Sequence, residues 1–265
     1  MAMAKIHWAF QVDGSFQTGA DWVGQTVPGP SDDAILDAAG STDYTVTSSA
    51  NQTVNSIQTA STATLAISDS DFTATAGDGG GVNAGAIDVD NNSNFTVGGA
   101  VDNTGSILLA SVGNLTDLII GANTTLTGGG AIVLTDNGAN RLYGAAASDT
   151  LTNVDNIISG SGQLGIGQLT LINEASGIIA ATGSTNVLTI NLGASTLTND
   201  GAVEGVGAAG LILQDTTVDD SGGGIIFAEP GSTVSLQTAD IIGGTLEDFA
   251  GGAIQTIDGG SKLDG

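Results

Sequence analysis

The sequence predicts an all-β chain folded as a right-handed parallel β-helix, a β-solenoid, with coils of about 24 residues and an N-terminal cap. The first observation is a returning motif: Thr, Leu, any residue, then Asn, with Gly and an aliphatic pair a few residues on. Its Asn, Asp or Gly position falls at Asn103, Gly128, Asn153, Asn173, Asn199, Asp220 and Asp248, in steps of 20 to 28 residues. A repeat of that length marks one supersecondary unit stacked on copies of itself. The second observation is compositional. Gly is abundant (42 of 265 residues) and Pro scarce (3), yet 40% of the chain is hydrophobic and only 4% aromatic. That much apolar surface excludes a disordered linker, and the shortage of aromatics suits narrow coils filled by Ile, Leu, Val and Ala. The third is that no stretch carries a sustained apolar period of 3.6, so helices are expected to be minor or absent.

The first 30 residues differ in kind from the rest. Trp8, Phe10, Phe16 and Trp22 are four of the ten aromatics and lie in a segment without the motif. Terminal repeats of a solenoid must close the stack and are atypical for that reason. Residues 1–30 are therefore read as a cap and 31–265 as the β-helix.

Within each coil three short strands are expected. The first holds an alternating apolar pair, as in Phe95 and Val97, Leu118 and Ile120, Leu188 and Ile190, Leu211 and Leu213, or Val234 and Leu236. Alternation at period two puts both members on one face. The second is the Thr-Leu step at 125–126, 150–151, 170–171, 196–197 and 245–246, with Ala100-Val101 and Thr217-Val218 as variants. The Asn column follows; Asn, Asp and Gly share a tolerance for the left-handed backbone of a sharp corner, and stacked Asn side chains can form hydrogen-bonded ladders. The third strand includes Ser106 to Leu108, Ala131 to Val133, Gly177 to Ile179, Gly224 to Ile226 and Ala253-Ile254. About 11 such coils, ~4.8 Å apart, make a rod on the order of 50 Å long. Nothing resembling a second cap follows Gly251, and the chain is expected to be truncated in mid-coil, with an open strand row suited to end-to-end pairing with other copies.

Charge narrows the partners. With 28 acidic residues against Lys5, Arg141 and Lys262, the net charge is −25. Such a field repels phosphate backbones and anionic lipid, so neither nucleic-acid binding nor membrane insertion is expected. Divalent cations are the ions it would attract. Cysteine is absent, which removes disulfides, thiolate nucleophiles and thiolate metal sites. No run of 18 apolar residues occurs, and residues 1–10 have no apolar stretch of the kind that directs export.

Two segments carry a resemblance. Asp21 to Ile35, with its Trp22–Gly24 turn, Val27-Pro28-Gly29 and Asp32-Asp33-Ala34, resembles the opening of many bacterial surface β-helix proteins. Ser232 to Leu263 resembles the repeats of large proteobacterial adhesins, autotransporter-like or haemagglutinin-like. The resemblance implies a non-enzymatic structural or adhesive segment of a large bacterial surface or secreted protein, with host or surface glycans, or further copies of the chain, as partners.

The β-helix architecture is also used by pectate lyases and polygalacturonases, so a polysaccharide-acting enzyme is the alternative. A lyase needs a basic residue, and within the coils only Arg141 is available; it reads instead as a surface charge balancing Asp136 and Asp149. Glycosidic hydrolysis needs two carboxyl groups flanking the bond. Asp32-Asp33 and Asp219-Asp220 are the candidate pairs, but the latter replace Thr and Asn of other coils. The single histidine, His7, belongs to the cap beside Trp8. No catalytic residue and no cofactor is assigned. Asp88, Asp90 and Asn92 are the candidate calcium ligands, because oxygen donors alternating along a loop suit that ion, with Asp69 and Asp71 as a weaker set. The outward Thr file at 125–127, 150–152 and 196–198 suggests an ice-binding solenoid as a minor alternative, interrupted by Ile172, Asp219 and Glu247.

Overall fold

A computed structural model describes residues 4–265; Met1–Met3, the first residues of the expected cap, lie outside the described residues. The chain is a parallel β-solenoid of about 10 turns of about 23 residues, with 54% of its residues in strands and almost no helix. Two long sheets of 14 and 11 strands run along the rod, and a three-stranded sheet joins them near the N-terminus.

The first and second stretches of each coil share the 14-stranded sheet, and the third builds the 11-stranded sheet. In several coils the first two are a single bent strand, as in Leu211–Asp219 and Thr233–Ile242. The bend falls on one left-handed residue, Asp215 at φ 44° and Thr238 at φ 52°. A single residue in this region turns the strand sharply, and for non-glycine residues it is costly. Gly99, Gly167 and Gly193 take positive φ at comparable bends in other coils.

Register between coils is held by inward-facing aliphatic columns. One runs Val46, Leu65, Ile87, Ile107, Ile132, Ile158, Ile179, Val203, Ile226 and Leu246, each paired directly with the next. All but Leu246 are essentially inaccessible to water. Burying a Val, Leu or Ile side chain stabilises by about 1.5–3 kcal/mol. A one-residue slip would turn every member outward, so the pairing is strongly specified.

The N-terminal segment packs a cluster of aromatics against the first coils. Ala4–His7 pairs in parallel with Asp32–Leu36, and Trp8 bridges to Trp22. The Trp8 and Trp22 rings meet edge to face at 5.1 Å, Phe16 packs on Trp22 at 4.8 Å, and Phe16 meets Phe72 at 5.2 Å. Trp22 donates its indole N–H to the Phe16 carbonyl, which leaves that buried ring satisfied. Phe10, expected with this group, is exposed.

Two readings of the last coil are corrected. Thr245–Asp248 pairs with Ile225–Ala228 and so belongs to the third stretch, not to the Thr-Leu step. Ala253–Thr256 pairs with Thr233 to Leu236 in the first stretch. Asp248 therefore lies outside the Asn column and Glu247 outside the Thr file. The misreading has a simple cause: Thr-Leu is a short signature, and the true second-stretch residues there, Asp240 to Ile242, do not carry it.

Candidate functional site

The Asn column is a buried side-chain ladder. Asn83, Asn103, Asn153, Asn156, Asn173 and Asn199 are all buried. The Thr59 hydroxyl donates to Asn83 Oδ1. Asn83 Nδ2 then donates to Asn103 Oδ1 (2.6 Å), and Asn103 Nδ2 to Asn156 Oδ1 (2.8 Å). The Asn156 backbone N–H donates to Asn153 Oδ1 (3.0 Å). Asn153 donates to Asn173, Asn173 to Asn199, and Asn199 to Asp220, at 2.9, 2.8 and 2.7 Å. After the Thr59 hydroxyl every link runs from an amide N–H to the next side-chain oxygen, and Asp220 ends the run as an acceptor.

These asparagines do not adopt the left-handed backbone expected of them; their task is carried by the side chain. Gly128 brings no carboxamide, and its gap is spanned by Asn156, which comes from the following coil. The strand there pairs Leu126 with Asn153, a two-residue offset that brings Asn156 within reach of Asn103. Glycines beside the ladder are small for a reason. A Cβ on Gly224 would fall against the Asn199 carbonyl and carboxamide, and one on Gly177 against Asn173 and Asn153.

Most of the candidate carboxylates are occupied in holding the rod together. Asp219 and Asp220 point to opposite sides of their strand, Asp220 inward and fully buried. Burial pushes the Asp220 carboxyl up to about 6, and its Oδ2 has no hydrogen-bond partner. Asp33 is buried and accepts from Asn55 Nδ2 and Ser56 Oγ, while Asp32 accepts from the Gly29 N–H. Arg141 pairs with Asp117 in place of the expected Asp136 and Asp149. Its Nε donates to Asp117 Oδ1 at 2.8 Å, its Nη2 to Oδ2, and the guanidinium lies 5.1 Å from the Tyr143 ring centroid. Asp117 sits directly beside Arg141 on the neighbouring coil, a relation invisible at a separation of 24 residues in sequence. His7 contacts Asp37 at 2.9 Å in the N-terminal sheet.

Asp88 and Asp90 stand side by side on the outer face of Ala86–Asp90, and burial, with the nearby Asp90 charge, pushes the Asp88 carboxyl up. Asn92 follows at a left-handed corner (φ 67°), its amide donating to Asp69 Oδ1 at 3.3 Å. Asp71 instead accepts from Asn94 and Asn51. Among the described residues no cluster of three or more His, Asp or Glu side chains converges on one point. The Thr file does line the outside of the second stretch, with Thr125, Thr152, Ile172, Thr198, Asp219 and Ile242 in direct succession.

A groove of about 390 Å³ lies on the outer face of the first stretch, bordered by Gly138, Gln163, Ile166, Asn186, Thr189, Asn191 and Gln214. Its volume is within the range of small-ligand sites. Gln163 lies beside Thr189, and Asn191 beside Gln214, so the floor is made of polar side chains from successive coils. One wall is clamped by Asp136. This carboxylate accepts from the backbone N–H groups of Ser184 (3.0 Å), Thr185 (3.0 Å) and Asn186 (2.8 Å) and from the Ser184 hydroxyl (2.9 Å). These bonds hold Asp136 well below the usual carboxylate range. At the opposite side Ile166, between two positive-φ glycines, is itself left-handed at φ 45°. A β-branched residue in that conformation is strained, and such strain gathers at functional sites. Reading the sequence for inward positions passes over this groove; the signal lay in the outward amides Gln163, Asn191, Gln214 and Gln237.

No helix among the described residues is long and apolar enough to cross a membrane. No family model, curated protein or solved structure matches the chain.

Proposed function

We propose that the chain is a non-enzymatic structural or adhesive segment of a bacterial surface or secreted protein. The observation that carries the reading is the Asn ladder, linked from Thr59 to Asp220 through the interior of the rod. A buried polar network whose members are bonded along its length, with only Asp220 Oδ2 left over at its end, rigidifies a fold and specifies one arrangement. Investment in a long rigid stack suits a stalk that holds a surface at a distance. The resemblance of residues 21–35 and 232–263 to surface β-helix proteins supports the bacterial and extracellular part of the reading.

The enzymatic alternative is disfavoured by the fate of its best residues. Asp219 and Asp220 cannot flank one glycosidic bond from opposite sides of a strand, and Arg141 is neutralised by Asp117. Incubating the chain with uronates, glucans and galactans tests the point. No new reducing ends and no unsaturated uronate should form; specific cleavage that is lost in Asp219→Asn or Asp220→Asn would overturn the proposal.

A further inference from the structure

We infer that the groove between Gly138 and Gln214 is a binding site for an extended, neutral glycan lying along the rod axis. The inference rests on the adhesive reading and gives it a location and a ligand class.

The lining selects the chemistry. Gln163, Asn186, Asn191, Gln214 and Thr189 are uncharged; Gln163 Nε2 already donates to the Gly138 carbonyl and Asn186 Nδ2 to Asp136, so these two present mainly oxygen acceptors, and the other three supply the donors. Among the described residues the Thr189 and Gln214 side chains make no hydrogen bond, and the Asn191 amide nitrogen is likewise uncommitted, since this residue only accepts from the Gly193 N–H. Sugar hydroxyls, which donate and accept at once, match such a set. Ile166 and Val187 supply an apolar patch at the same opening, as the C–H face of a pyranose requires. An anionic polymer is opposed by the net charge of −25 and by Asp136, which is ionised at all ordinary pH. A lipid or apolar peptide would leave the amides unpaired.

The repeat selects the shape. Adjacent coils lie ~4.8 Å apart, close to the advance per residue of an extended pyranose chain. Gln163 and Thr189 form one step of such a file, and Asn191, Gln214 and Gln237 form another. Successive sugars can therefore meet successive coils. The Asp136 clamp spans about two coils, tying Ser184–Asn186 to the loop at 136, so the wall is set in place before a ligand arrives. Preorganisation of this kind reduces the ordering cost of binding.

The test is affinity electrophoresis of the full chain through gels containing hydroxyethyl cellulose, galactomannan, xyloglucan or, as the anionic comparison, polygalacturonate. At least one neutral polymer should retard the protein and polygalacturonate should not. Gln214→Ala should weaken retardation by about fivefold or more, a typical loss for one hydrogen-bonding group. Gly138→Phe should abolish it by filling the groove: a Cβ there meets only Asn186 Oδ1, at 3.7 Å, so the fold has room for a side chain. Thr198→Ala, on the second stretch, should behave as wild type. Far-UV circular dichroism checks that each variant is folded. Retardation by no neutral polymer, retardation unchanged in Gly138→Phe, or stronger retention by polygalacturonate would overturn the inference. Release of reducing ends in the same incubations sinks the non-enzymatic reading instead, so the two failures are separable.

Discussion

Replacing Asp220 by asparagine should stabilise the rod at neutral pH. Asp220 is buried at the end of the Asn ladder, accepts one bond from Asn199 through Oδ1, and leaves Oδ2 without a partner. Its carboxyl is pushed up to about 6, by burial first and then by the charges of Asp219 and Asp200, against the opposing bond from Asn199. An acid raised in the folded state keeps its proton where the unfolded chain has lost it. Stability is therefore greatest below the unfolded pKa, falls as pH rises from about 4 to about 6, and stays reduced above that. The difference is about two powers of ten in proton affinity, each worth about 1.4 kcal/mol, so ionising Asp220 costs on the order of 3 kcal/mol. Asparagine can take the bond from Asn199 and carries no charge to desolvate. Urea unfolding followed by far-UV circular dichroism, on wild type and Asp220→Asn at pH 4.5 and pH 8, measures this. The variant should gain up to about 3 kcal/mol at pH 8 and only about 1 kcal/mol at pH 4.5, and taking the difference cancels the other carboxylates. A variant no more stable than wild type at pH 8, or one whose advantage is the same at both pH values, would refute the reasoning.

Asn173→Ala breaks the ladder in mid-rod: Asn199 Oδ1 loses its donor, while Asn153 Nδ2 keeps the Asn156 carbonyl as an acceptor; with about 1–3 kcal/mol for a buried group left unpaired, a loss of that size should appear in the same denaturation assay. Ile257 and Leu263 are exposed, and among the described residues Lys262–Asp264 pairs only with Asp240 to Ile242. Open strand edges associate unless charge prevents it, so mass measured by light scattering should grow from low salt to high as screening shortens to about 8 Å and below; an unchanging monomer would refute this.

The period and the inward columns were legible in the sequence because a solenoid repeats its environment. Ile107, Ile132 and Ile158 meet the same walls one coil apart, so each coil repeats the same inward apolar position, and Phe95 and Val97 alternate as a half-buried strand must. The packing of Trp8, Phe16 and Trp22 together was visible for the complementary reason, that these bulky residues stand apart from the uniform aliphatic repeat. Coil length, however, varies from 19 residues (Val46 to Leu65) to 26 (Ile132 to Ile158) along the inward column, and side-chain partners depend on how each loop resets the register. That is why Asn156 entered the ladder in place of Gly128, why Arg141 found Asp117, and why Thr245 belongs to a different side from the one its Thr-Leu signature suggested. The groove is decided later still, since Asp136 reaches Ser184 across about two coils and Gln163, Asn191 and Gln214 share one opening only once three coils are stacked. Local pattern sets what repeats; the spacing between coils sets what meets.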